Sequence, residues 1–136
     1  MRSRAVWLAA VVSVVIVLLG VRAFLDPIAA SASFGLPMHT DAETSFVRVY
    51  GARNALLGGF ALVLASRGMI RPLVLLFTLA TALPLLDATV IVSRIGPAHE
   101  LVRHGVIFLV LAAVSVALWR TPEAGHSSAH ARLVNR

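Results

Sequence analysis

The chain has no cysteine and no lysine, and only 7% of its residues are aromatic. Without cysteine there can be no disulfide, thiolate nucleophile, iron–sulfur cluster or cysteine-ligated zinc. Without lysine, the formal charge of +6 rests on arginine alone. Charged residues amount to 13%. No His-Glu-x-x-His motif, Walker loop or dinucleotide glycine loop occurs, and Gly58-Gly59 falls inside a helical pattern, where it reads as packing. His104 is the one histidine placed near a helix interior, whereas His39, His99, His126 and His130 fall in loops or the tail. A bis-histidine haem site therefore lacks its second ligand. No metal and no cofactor is expected.

What the sequence has is apolar length. Hydrophobic residues make up 59% of 136 positions, in four runs beginning near Ala5, Phe46, Pro72 and Leu101. One soluble core of this size could not bury that much surface. Each run matches the roughly 20 residues needed to cross a bilayer. The expected fold is an all-α membrane protein, a four-transmembrane-helix bundle over residues 1–120, with helices at about 5–25, 41–66, 72–93 and 100–119. Residues 121–136, with no apolar period, read as a disordered cytoplasmic tail. The first run also resembles a signal peptide, with Ala30-Ser31-Ala32 as a cleavage site. Its apolar stretch exceeds the usual 7–15-residue signal core, roughly speaking, so the reading keeps it as a retained helix.

Local signals sharpen the boundaries. Thr40-Asp41-Ala42-Glu43 reads as a capping box that starts the second helix at Asp41. Pro72 sits in a tolerated first-turn position, and Pro84, inside the third span, should kink it and free the carbonyl of Ala80. Thr121-Pro122 stops the fourth. Threading four helices puts Arg2, Arg4, Arg67, Arg71, Arg120, Arg132 and Arg136 on one side, and Asp26, Asp41 and Glu43 on the other. The positive-inside rule then makes both termini cytoplasmic in the plasma membrane, with Trp7 and Trp119 at the cytoplasmic interface. Because the arginines flank apolar runs, the high pI of about 11.7 reports topology, and no nucleic-acid partner is expected.

The polar residues inside the runs carry the functional question. Arg22 lies near the outer end of the first span and His104 near that of the fourth. Arg53 falls about 10 Å below the outer end of the second and Asp87 about 9 Å below that of the third, at a rise of about 1.5 Å per residue. An unpaired charge at a helix centre costs about 2.5–3.5 kcal/mol, so these groups should find one another. Asp87 and His104 are the catalytic candidates; Arg22, Arg53 and Asn54 are the ligand-binding candidates. Arg22–Asp26 and Glu100–His104 are neighbours one helical turn apart. Gly51, Ala55 and Gly59 form a small-residue stripe, a close helix seam that could also serve a homo-oligomer. Arg53 projects opposite that stripe. Two accounts of the cluster stay open: an Arg53–Asp87 pair that only fixes helix register, or a pocket for a lipophilic small molecule.

Gly20-x-Arg22-x-Phe24-Leu25-x-Pro27, Phe34-Gly35-Leu36-Pro37 and Arg48-x-x-Gly51-x-Arg53-Asn54 together resemble a group of small four-helix membrane proteins of bacteria and fungi, grouped as a domain of unknown function. Asp87 and His104 look like that group's other polar positions. The resemblance implies the four-helix fold and no reaction. A looser similarity to DoxX-like membrane proteins rests on architecture alone. Three functions fit the residues: binding of a lipophilic ligand, isomerisation or cyclisation of a terpenoid, polyketide or quinone-like substrate, and a non-catalytic role as subunit or scaffold of a membrane complex. The residues leave open whether the chain is an enzyme.

Overall fold

The computed structural model describes residues 3–96 and 99–121, apart from the side chain of Glu100. Among these residues all regular structure is helical: α1 (Arg4–Leu25), α2 (Pro27–Phe34), α3 (Asp41–Ser66), α4 (Ile70–Ala80), α5 (Ala82–Ile95) and α6 (Glu100–Trp119). Taking α4 and α5 as one crossing, four helices are long and apolar enough to span a membrane. The tail from residue 122 lies outside the described residues, as do Pro97 and Ala98.

Each boundary has a local cause. Ser3 opens α1 by accepting the Val6 N–H at 3.3 Å. Asp26 does two jobs: its backbone N–H donates to the Arg22 carbonyl, closing α1, and its side chain accepts the Ala29 N–H at 3.2 Å, opening α2. Pro27 occupies the first position of α2, where its missing N–H costs nothing. Gly35 ends α2 at φ 100°, and the Leu36 N–H reaches back to the Ser31 carbonyl in a Schellman closure. The expected capping box is present: Thr40 accepts the Glu43 N–H, and the Glu43 carboxylate accepts the N–H groups of His39 and Thr40. The expected kink is present too. The third crossing breaks at Thr81, three residues before Pro84, which has no N–H for the Ala80 carbonyl. That crossing starts at Ile70 and ends at Ile95, two residues beyond expectation at each end.

α1 and α3 lie side by side along an extended contact, while α4 and α5 both pack on α6. The α1–α3 seam is backbone against backbone. A methyl group on Gly20 would fall 2.5 Å from the Ala55 nitrogen, and one on Gly58 would fall 2.9 Å from the Ser13 carbonyl oxygen. This corrects the expected stripe. Gly51 and Ala55 belong to the seam, but its third member is Gly58, since nothing lies within 4 Å of a methyl group on Gly59. At about 100° per residue, seven residues return within 20° of the starting face, whereas eight overshoot it by about 80°. The seam is also internal, so Gly51 and Ala55 face α1 rather than a second copy.

The two helix sets meet at the end remote from α2. There Val6, Ala61, Leu64, Leu73, Phe77 and Val114 form a closed apolar core. Hydrogen bonds lock α4 to α6 nearby: Thr78 and Ser115 share one of 2.7 Å, and the Trp119 indole N–H donates to Thr78 Oγ1 at 3.0 Å. Towards α2 the sets separate, and α3 makes no extended contact with α5.

Candidate functional site

That separation leaves a cavity of about 610 Å³, within the range of small-molecule sites. α1 and α3 form one wall, α4, α5 and α6 the other, and α2 with its following loop forms a roof. The lining is graded along the helices. Ile16, Gly58, Ala61, Phe77 and Leu111 line the part nearest the core. Arg22, Tyr50, Asn54, Asp87, Arg103 and His104 line the part beneath α2.

Four of the five expected site residues therefore share one cavity: Arg22 from α1, Asn54 from α3, Asp87 from α5 and His104 from α6. His104 is buried, with 4% of its surface exposed, and the edge-on ring of Phe34 lies 5.0 Å away at 89°. Phe34 also meets Tyr50 edge-on at 5.9 Å, so one aromatic side chain of the roof touches both walls. His104 is close enough to act electrostatically on half-buried Asp87. Asp87 and Arg103 act in turn on Tyr50, whose hydroxyl lies within hydrogen-bonding reach of Asn54.

Arg53 is the exception. It is exposed and does not line the cavity, and among the described residues no ion pair joins it to Asp87. The cavity face of α3 runs through Phe46, Tyr50, Asn54, Leu57 and Ala61. That face lies between the glycine seam and the side that bears Arg53, rather than opposite the seam. The long aliphatic stem of Arg53 can lie on apolar surface while its head reaches polar surroundings. Asp87 instead shares the cavity with His104, which is near enough to act on it electrostatically. The Glu100–His104 pairing lies outside the described residues, because the Glu100 side chain is among those left undescribed. No three potential metal ligands gather among the described residues.

Sequence reasoning missed Tyr50 and Arg103. Tyr50 stands one turn before Asn54 on the same face, a spacing that could have flagged it. Arg103 is signalled only by its neighbour His104, and its partner could not be read from sequence. It donates from Nη1 to the Ser33 carbonyl, in the last turn of α2.

A family described as a domain of unknown function (DUF4267) matches residues 13–118, which contain every cavity-lining residue named above. No curated protein and no solved structure matches the chain, and a similarity to DoxX-like proteins is not shown.

Proposed function

Because the chain belongs to the DUF4267 family, which names no reaction, we propose a function from the cavity itself: it binds a lipophilic small molecule. The apolar body of the ligand lies against Ile16, Ala61, Phe77 and Leu111, and its polar end sits among Arg22, Asn54, Asp87 and His104. One observation carries this reading. Titratable and amide side chains are confined to one end of an otherwise apolar cavity, the arrangement that orients an amphipathic ligand. In this reading the α2 end faces outward and both termini are cytoplasmic, as the arginine distribution favours, in a multi-pass protein of the plasma membrane.

The decisive experiment is extraction of copurified lipophiles from purified protein, followed by thermal-shift measurement with the compounds recovered. Ile107, half-buried in the cavity wall, supplies the control. Ile107→Trp should fill the space and remove ligand stabilisation. Undiminished stabilisation of Ile107→Trp would place the ligand elsewhere.

A second reading, acid–base catalysis, is favoured by Asp87 and His104 lining the same end of the cavity. In an isomerisation, the Asp87 carboxylate would take a proton from a carbon next to a carbonyl. The double bond would shift, and the Asp87 carboxyl would return that proton at the far carbon, directly or through His104, with Arg22 holding the carbonyl oxygen. The scaffold alternative gains nothing from the glycine seam, which is used within the chain.

A further inference from the structure

Where the cavity opens, and which charges line it, narrow the class of ligand. The roof is braced. Arg103 holds the Ser33 carbonyl, Phe34 touches both His104 and Tyr50, and the Met38 N–H donates to Ser31 Oγ at 3.0 Å, tying the loop back onto α2. The side is different. Phe46 and Leu57 of α3, and Leu83 and Val90 of α5, line the cavity and yet are 43–69% exposed. They form two apolar lips on helices that make no extended contact with each other. Such a slot admits molecules from hydrocarbon far more readily than from water.

The cavity is also long. Its lining on α3 runs from Phe46 to Ala61, about 22 Å at a rise of about 1.5 Å per residue. That length suits an extended chain. At the roof end donors outnumber acceptors: the guanidiniums of Arg22 and Arg103, the Tyr50 hydroxyl and the Asn54 amide stand against Asp87, the one carboxylate lining the cavity among the described residues. With Asp87 ionised, the arginine and aspartate side chains lining the cavity sum to one positive charge. A ligand carboxylate would balance it through charge-assisted hydrogen bonds.

We infer that the ligand is a bilayer-resident single-chain acid that enters between α3 and α5 and sets its carboxylate beneath Arg103. The inference rests on the lipophile-binding reading above and specifies its head group and its route.

The test uses the full chain in nanodiscs of phosphatidylcholine, titrated with oleate and with oleyl alcohol, which has the same chain and a neutral head. Oleate should bind about tenfold more tightly, a difference of about 1.4 kcal/mol. Arg103→Gln should remove that advantage, with cooperative thermal unfolding showing that the variant is folded, and an advantage kept in full would overturn the placement beneath Arg103. Equal affinity for acid and alcohol in the wild type would overturn the acidic head group and leave lipophile binding intact. Failure of both probes to bind, together with the absence of any copurified lipophile, would overturn the binding reading itself. The route is tested separately, since the chain has no cysteine of its own. Bridging Leu57→Cys to Leu83→Cys with a bismaleimide should slow oleate exchange, and unchanged exchange would overturn entry between α3 and α5.

Discussion

Gly20 and Gly51 face each other backbone to backbone across the seam between α1 and α3. A methyl group on either would fall 2.6 Å from the carbonyl oxygen of the other, a distance no carbon can occupy without moving a helix. The closeness joins α1 and α3 into one slab, and the face of α3 beside that seam becomes free to line a cavity.

Gly20→Ala and Gly51→Ala should each destabilise the protein by about 1–3 kcal/mol, since the obstructing atoms are backbone and cannot rotate aside. Gly59→Leu should be tolerated, because a methyl group there meets nothing within 4 Å. Thermal unfolding in a mild detergent distinguishes the three, and equal losses would show that the seam does not hold the fold.

Arg53→Gln should leave ligand-induced stabilisation unchanged, because the side chain is exposed and outside the cavity lining. His104→Gln should weaken that stabilisation while keeping a melting temperature near that of the wild type, whereas Asp87→Asn, which removes the carboxylate competing for Arg22 and Arg103, should strengthen it for an acid. Loss of the effect in Arg53→Gln would return the arginine to the site.

Reporter fusions at Gly68 and after Arg120 should read cytoplasmic, and fusions at Met38 and Gly96 external, as the arginine distribution requires. A cytoplasmic signal at Met38 would place the roof and the polar end of the cavity on the other side of the membrane.

Gly35→Ala should loosen the roof. Its φ of 100° is a conformation that costs an L-residue about 1–2 kcal/mol. Faster amide exchange across Pro27–Phe34, with exchange in α3 unchanged, is the expected signature. Uniform acceleration across the chain would mean that α2 does not open independently.

Much of this fold is written locally. The capping box at Thr40 and Glu43, the break before Pro84 and the four crossings all depend on residues within a turn or two of one another. Four of the five candidate residues line one cavity and were legible because polar side chains inside an apolar run are conspicuous. What stayed hidden depends on partners distant in sequence. Gly20 sits in an aliphatic run, and nothing nearby shows that Ala55 lies against it. α2 is eight residues long, too short for an apolar period to separate it from the end of α1. Arg53 was misplaced because the polar face was assumed to lie opposite the glycines, whereas two neighbouring helix sets set the cavity to one side.

The break at Thr81 gives the third crossing two unlike halves. α4 is bolted to α6 through Thr78, Ser115 and Trp119 and shares their core, so its direction is dictated by packing. α5 starts afresh beyond the break and carries Asp87 together with the lip formed by Leu83 and Val90. The acid thus takes its position from the packing of α5 on α6, on the far side of the break from the side-chain hydrogen bonds that hold α4.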